Sequence, residues 1–441
     1  MIGDRKDASA QPVLKRAIVL SEDPTFWQRA GNAAYLSAFC RVLWSLNYRV
    51  HLIFVRNASQ TISRFEPDYL SSVDNVALRN TIRLGHRFVA TTHRPWLRAI
   101  KSRLSALRRR MSKGDESPTQ SQSPWLLPPL DPSLVDWARK QIHAIGPDLV
   151  VANYFNAADV FEPNAEYRKA ILVHDVFALR SESYREAGLP NDFDITHLQR
   201  EAQAFSHADL CIAITPQEAA YIKSVAPESR TLVLPHMVEV KRPKREKRPA
   251  KHCVFVGSHN LPNQQGLSWL LDEVWPRVLA RTPEASLSLI GNLVTPDQSQ
   301  LPRNVEAKGS VADLAHEYES AAVVLVPPRA GSGLKVKLIE ALAHGVPVVA
   351  TSCGAAGVGG ASETFLRVRD DAEEFAQAMC ELMSAPDWQD RAEAALDFVS
   401  MHFSEQAVSK VLRDALSETR TSAHADPSSA RDQGGFNSAR I

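Results

Sequence analysis

The run from Val323 to Gly354 constrains this chain more than any other stretch of it. Val323-Val324-Leu325-Val326 is short and wholly apolar, the pattern of a strand buried on both faces. Pro327, Pro328, Gly331 and Gly333 then break regularity, and apolar spacing by threes and fours resumes from Leu334 to Ala343. Gly345 follows as a helix stop, and Val346-Pro347-Val348-Val349-Ala350 reads as a second buried strand. Strand, helix and strand make a βαβ unit, and its glycine loop feeds a helix N-terminus. Unpaired N–H groups and partial positive charge at such an end suit a phosphate.

Lys335 and Lys337 fall in the first turn of that helix, where the macrodipole disfavours cations. An anion held between the lysines and the helix end reconciles the conflict. The alternative is a solvated surface, with Lys337 paired to Glu340 on the same helix face. Lys335 falls off that face and belongs to the entry turn.

The string Arg329-x-Gly331-x-Gly333-x-Lys335-x-Lys337-x-x-Glu340-Ala341, followed by Gly345-Val346-Pro347-Val348-Val349, resembles a known signature. It is similar to the donor site of GT-B-fold nucleotide-sugar glycosyltransferases, closest to the group 1 retaining class. The resemblance implies an α/β fold of two Rossmann-like doubly wound domains facing across a cleft. It implies that Glu340 binds the nucleotide ribose while Arg329, Gly331, Gly333, Lys335 and Lys337 hold the diphosphate. The family carries a second glutamate where this chain has Ser332, in the half of the motif that handles the donor sugar.

A chain of 441 residues is expected to form two or three domains, each with its own core. A net charge of +1 excludes a global field that would draw nucleic acid. The five cysteines have no metal-ligand spacing and read as thiols of a reducing cytosol. No apolar run approaches the roughly 18 residues of a spanning helix. Met1 to Pro12 lacks a signal-peptide core, so a cytoplasmic location is expected.

In the first half, Ala17–Leu20 and Val50–Val55 read as strands flanking a helix from Asn32 to Leu46, a doubly wound start. Gly31, ahead of that helix, either lets backbone approach a ligand or makes an ordinary turn. In the resembling enzymes a glycine there lies beside acceptor and donor. Arg83 to Lys113 carries ten basic residues and no acidic one. With Leu97, Ile100, Leu104, Leu107 and Met111 spaced by threes and fours, it reads as a basic amphipathic helix. Such a helix lies on an anionic membrane, docks an acidic or lipid-linked acceptor, or packs on its own domain.

Asp115 to Pro132 reads as a loop. Leu134–Ile145 and Ala157–Tyr167 have helical spacing, and Leu149–Ala152 and Ala170–Val173 read as strands. The last strand ends in His174-Asp175, at the sheet edge where open α/β folds place ligands. The resemblance assigns His174 to the donor sugar near the reacting carbon; the alternative is a turn histidine bonded to Asp175. Arg180 offers a fork of donors to phosphate or an acidic sugar, or else faces solvent. Asp192-Phe193-Asp194 has the form of a metal-holding pair but reads as surface, and no metal is expected. After a strand at Ala208–Ile214, Thr215-Pro216-Gln217-Glu218 reads as a capping box with a structural role.

Lys241 to Lys251 is a basic, proline-bearing linker. Val254–Val256 reads as a strand, Asn263 as the cap of the helix behind it, and Leu287–Ile290 as the next strand. The resemblance places Gly257 and Ser258 at the donor phosphates, and Gly309, Ser310 and Val311 at the nucleobase. Phe403 to Leu416 reads as a last amphipathic helix, which in such a fold crosses back to the first domain. The expected organisation is an N-terminal domain over 1–240 with a basic helical insert near 83–113, a linker over 241–251 and a nucleotide-sugar domain over 252–402. The crossing helix follows at 403–417, with a disordered tail at 418–441.

The activity implied is metal-independent, retaining transfer from a nucleotide diphosphate sugar to a hydroxyl of a glycan or lipid-linked acceptor, in polysaccharide biosynthesis. His174, Lys335 and Lys337 carry the chemistry, and the nucleotide sugar is co-substrate with no further cofactor. The alternatives are a silent nucleotide-sugar-binding module and an epimerase on the same fold. Peripheral contact with an anionic membrane through 83–113 is the expected partner surface beyond the substrates, and nucleic acid is not expected.

Overall fold

Short apolar runs alternating with amphipathic segments fold as parallel strands with helices on both faces. The computed structural model describes residues 14–22, 31–57, 60–65, 71–97, 99–101, 128–191, 193–242, 250–293 and 301–417. The first unit runs β1 (Lys15–Ser21), α1 (Gly31–Ser45), β2 (Tyr48–Phe54), β3 (Ile62–Arg64), β4 (Asn75–Leu78), β5 (Thr81–Leu84) and β6 (Arg87–Ala90). It continues through α2 (Pro132–Ile145), β7 (Leu149–Asn153), β8 (Arg168–Leu172), α3 (Phe177–Glu186), α4 (Ile195–His207), β9 (Leu210–Ala213), α5 (Pro216–Val225) and β10 (Arg230–Val233). Its main sheet is parallel, in the order β10-β9-β8-β7-β1-β2-β4.

The second unit begins with β11 (His252–Val256) and α6 (Leu261–Trp269), which runs through a π turn at Leu270–Val274 into α7 (Trp275–Arg281). Then come β12 (Ser286–Ile290), β13 (Val305–Gly309), α8 (Ala315–Ser320), β14 (Val323–Val326), α9 (Val336–Ala343), β15 (Val348–Ala350) and β16 (Leu366–Val368). The chain ends in α10 (Ala372–Ser384), α11 (Trp388–His402) and α12 (Glu405–Ser417). The second sheet is also parallel, ordered β13-β12-β11-β14-β15-β16. These are the two Rossmann-like domains expected. In each sheet the order reverses once, between β1 and β7 and between β11 and β14. The crevice at the carboxyl ends of those strands is where such sheets hold ligands.

Both sheets are buried on both faces, so alternate residues of one strand feed opposite cores. Ala17 and Val19 belong to one cluster, and Ile18 and Leu20 to the other. Two features tie the domains together. Leu334, at the entry to α9, packs against a core of each domain. The other is α12, which leaves the second domain and buries Val408 and Leu412 in the first. Arg41 pairs with Glu405 at 3.1 Å, and Arg168 and Arg230 each donate to the Ala415 carbonyl at 3.1 Å. Two guanidinium groups on the last turn match the negative end of the helix dipole.

Three local readings change. Residues 83–90 are not helical: β5 and β6 form a hairpin around Gly85, whose φ of 61° suits the turn, and β3 joins them in a three-stranded antiparallel sheet. Alternation in Ile82-Arg83-Leu84 and Arg87-Phe88-Val89 overrides the basic helix pattern, which starts only at 93. Residues 102–113 of that expected helix lie outside the described residues. Over Ala157–Tyr167 a single 3-10 segment, Phe155–Val160, replaces the expected helix, because Pro163 disfavours helical backbone before it. The cap of α6 is Asn260 rather than Asn263: its side chain accepts from the Asn263 N–H, and Pro262 fills the first turn. Asp192 of the Asp-Phe-Asp triplet, residues 243–249 of the linker and the 418–441 tail also lie outside the described residues. Asp194 caps α4 through the His197 N–H. Among the described residues no cluster of His, Cys, Asp or Glu has the geometry of a metal site.

Candidate functional site at the domain seam

The carboxyl ends of β7, β8 and β9 face the loop that leaves β14. On the N-terminal side His174 is buried at the end of β8. Its Nε2 bonds Asn153 Oδ1 at 2.5 Å, its ring stacks on Tyr154 at 4.4 Å, and Tyr35 of α1 meets it edge-on at 5.2 Å. With a carboxamide oxygen as partner, Nε2 carries the proton and Nδ1 keeps a lone pair. Burial, helped by the nearby His236, lowers the His174 pKa to about 3. The imidazole is therefore neutral and serves as a hydrogen-bonding group. Tyr154 has φ 67° and ψ 159°, a region that side chains rarely occupy. Backbone strain of this kind clusters at ligand sites, and here it turns an aromatic ring flat against His174.

Asp175, next in the chain, holds one oxygen toward the Arg180 guanidinium and accepts from Ser332 Oγ with the other. The Ser332 contact crosses the domain seam. A second crossing bond runs from the Gly331 N–H to Ser183 Oγ at 2.9 Å. Gly331 has φ 116° and Gly333 φ 72°, so the loop needs both glycines for its path. A Cβ on Gly333 would stand 3.5 Å from Glu218 Oε1, 3.7 Å from the His174 carbonyl and 3.8 Å from Asp175 Oδ1. The loop backbone thus lies directly against the N-terminal carboxylates.

Thr215 and Glu218 form the capping box: Thr215 Oγ1 accepts from the Glu218 N–H, and Glu218 Oε2 accepts from the Thr215 and Ile214 N–H groups. That box was legible locally, but its second consequence was not. Glu218 Oε1 is buried without a hydrogen-bond partner among the described residues and points at the glycine loop. Burial raises the Glu218 pKa. Lys335, the residue before α9, turns inward: its Nζ donates to the carbonyls of Ser332 at 2.9 Å and Gly333 at 3.0 Å. Burial lowers its pKa, with Cys353 and Glu218 opposing and Arg180 adding to the fall.

Lys337 pairs with Glu340 Oε2 at 2.8 Å, and Tyr318 donates to the same oxygen at 3.2 Å. The two lysines therefore differ, one folded into the seam and the other half-exposed on its helix. Arg329 lays its guanidinium 5.2 Å from the Trp269 ring centroid. Gly257, Gly291 and Gly309 terminate the adjacent strands β11, β12 and β13. Gly257 donates to the Ile290 carbonyl, and Gly291 to that of Gly309. A Cβ on Gly291 would fall 1.9 Å from the Gly257 oxygen, so only bare backbone fits. Ser258 is exposed and accepts from Asn260 and Asn263. Ser310 and Val311 follow Gly309 toward α8, while Gly31 opens α1, the helix that carries Tyr35.

The structure thus brings His174, Arg180, Gly331, Ser332, Gly333 and Lys335 into one seam. It sets Gly257, Ser258, Gly309, Ser310 and Val311 along the neighbouring strand ends, and Lys337, Glu340 and Arg329 around α9 and α6. Asn153 and Tyr154 are further members that the sequence analysis did not name, and their signal was the end of the parallel strand β7; Asp175 was named only beside His174 and Glu218 only as part of a cap, and the seam gives both a further place.

Two doubly wound domains meeting over a glycine loop and a helix N-terminus define the GT-B architecture. Solved structures share it across nearly the whole chain. Sucrose-phosphate synthase of Thermosynechococcus elongatus matches with a TM-score of 0.62 at 18% identity, covering 91% of this chain and 98% of that one. The pneumococcal O-GlcNAc transferase GtfA, in complex with UDP and GlcNAc, matches with 0.61 at 11% identity, covering 92% and 99%. Anabaena HepE, in complex with UDP and glucose, gives 0.59 at 14% identity, covering 92% and 100%. Residues 250–385 match the family model for glycosyl transferases group 1, so the second domain is a group 1 glycosyltransferase domain. An uncharacterized 44.6 kDa protein of the cps region of Klebsiella pneumoniae is 29% identical over 164 residues. That match spans 34% of this chain and 42% of the relative.

Proposed function

We propose that the protein transfers a sugar from a nucleotide diphosphate sugar to a hydroxyl acceptor, with retention of anomeric configuration. The observation that carries this is the position of the Gly331–Lys335 loop. It leaves the switch point of one sheet and lies on His174 and Asp175 at the carboxyl edge of the other.

In this reading the diphosphate lies at the N-terminus of α9, beside Gly257, which approaches it with bare backbone. Negative charge that develops on the leaving diphosphate is met by Lys335, Lys337, Arg329 and the helix N–H groups, without a metal. Lys335 exchanges its loop carbonyls for phosphate oxygens, and Lys337 turns from Glu340, freeing that carboxylate for the ribose. Gly309, Ser310 and Val311 hold the base through backbone groups. His174, neutral, bonds a sugar hydroxyl near the reacting carbon. Arg180 and Gly31 border the acceptor. No side chain is assigned as a covalent nucleophile. The acceptor is a glycan or lipid-linked hydroxyl of a polysaccharide pathway, and the relative from a cps region supports that setting.

Calorimetric titration with UDP, GDP and ADP and their sugar conjugates tests the donor site. UDP comes first, because GtfA and HepE were solved with it. Lys335→Ala is expected to weaken the nucleotide that binds by roughly 10- to 100-fold, the value of a charge-assisted hydrogen bond. Unchanged affinity in both Lys335→Ala and Lys337→Ala refutes the phosphate assignment. A silent binding module is the second reading, favoured by Ser332 and its bond to Asp175. Donor hydrolysis that Lys337→Ala abolishes counts against that module, and product analysis with and without acceptor separates transfer from epimerisation.

A further inference from the structure

The small antiparallel sheet has one face in the core and one that no described residue covers. Phe88 and Ala90 are buried in the N-terminal core, where Phe65 packs at 5.0 Å from Phe88 and 5.5 Å from Phe54. The register places Ile82, Val89 and Ile62 in one cross-strand row on the opposite face, with Leu84 and Arg87 in the next. Ile62, Ile82 and Leu84 are 45%, 58% and 62% exposed. The helical segment that follows adds Trp96, Leu97 and Ile100, all exposed, and Trp96 is pinned beside the sheet by its Nε1 bond to the Ala90 carbonyl at 3.0 Å. Half of the large apolar residues exposed among the described ones stand in this small region. A contiguous patch of that kind marks an interaction surface.

Its surroundings are cationic. Arg87 stands on that face and Arg94 and Lys101 are exposed on the segment that follows, whereas Arg83 lies on the other face over the Phe88 ring, and no Asp or Glu occurs between Asn75 and Lys101. Apolar side chains standing among cations, with no acidic residue from 75 to 101, are complementary to an anionic lipid surface. The patch is also placed for it. β3 follows the carboxyl end of β2, and β5 that of β4, so the small sheet extends from the same edge that opens on the seam.

We infer that the outer face of β3-β6-β5 and the helical segment at 93–101 form a docking surface for an anionic lipid bilayer. Ile82, Leu84 and Trp96 enter the interfacial layer and the arginines meet phosphate headgroups, which sets the seam toward the membrane. The surface works whether or not the donor assignment holds, so the two fail separately.

Co-sedimentation of the full chain with two kinds of vesicle tests it: phosphatidylcholine alone, and phosphatidylcholine mixed with phosphatidylglycerol. Binding to the anionic vesicles at low salt is expected, with weak binding to the neutral ones and release at high salt. Ile82→Ser with Leu84→Ser should lower partitioning about tenfold or more, and Arg87→Glu should weaken binding to the anionic vesicles alone. Thermal unfolding checks that the variants fold, and light scattering reports self-association. Three results each overturn the inference: no binding to anionic vesicles at low salt, binding that the double variant leaves unchanged, or dimers that the double variant dissolves while vesicles go unbound.

Discussion

Replacing His174 by Asn removes an imidazole that folding keeps neutral. In the unfolded chain this group titrates at its ordinary 6.5, whereas burial holds it near 3 in the folded protein. Above pH 6.5 both states are neutral at this position and it contributes no pH dependence. As pH falls below 6.5 the unfolded chain takes up a proton that the folded chain refuses. Wild-type stability then drops by up to about 1.4 kcal/mol per pH unit until pH nears the folded value. Over two units this amounts to about 3 kcal/mol, a large share of a domain's stability. The Asn variant lacks this loss. Its deficit near neutral pH, from the lost stacking on Tyr154 and the lost bond to Asn153, should shrink as the solution is acidified. Glu201, whose pKa burial raises to about 7, contributes stability that is full below about 4.5 and lost as pH rises through about 7. That opposite slope is common to both proteins and drops out of the difference. Urea unfolding of wild type and variant at several pH values above and below 6.5, followed by circular dichroism, gives the comparison. The imidazole proton resonance in the folded wild type should also stay flat through the usual histidine range. Parallel stability curves, or an imidazole that titrates near 6.5, would refute the neutral, buried state and with it the role of His174 as a fixed hydrogen-bonding partner.

The strand-end glycines should separate by what surrounds them. Gly291→Ala meets the Gly257 oxygen at 1.9 Å and is expected to prevent folding of the second domain, whereas Gly309→Ala has open space and costs only the backbone strain of φ 65°, about 1–2 kcal/mol; expression yield and thermal unfolding distinguish them. Leu412→Ala empties a fully buried site where α12 enters the N-terminal core. A loss of about 2–5 kcal/mol is expected in the transition of that domain, with the second domain's transition less affected, readable by calorimetry.

Much of the secondary structure follows from neighbours within four residues, and that part was readable in advance. Val323–Val326 is β14 as its apolar run requires, and Thr215 and Glu218 close the capping box their spacing announces. Parallel strands buried on both faces leave continuous apolar runs, which is why the doubly wound plan showed through. The helix expected from Arg83 failed because a short alternating stretch can satisfy a hairpin, and only pairing with β3 decides it.

The seam belongs to tertiary structure. Ser332 and Asp175 are 157 residues apart, and nothing local to either says that a hydroxyl from one domain meets a carboxylate of the other. Glu218 illustrates the limit within one residue: local spacing assigns one oxygen to a cap, while the other acquires its place only when Gly333 is laid against it. Propensity, periodicity and caps are energies of adjacent residues and can be read along the chain. Which side chains lose water together depends on sheet order and domain docking, and these place Lys335 inside the seam while leaving Lys337 at its edge.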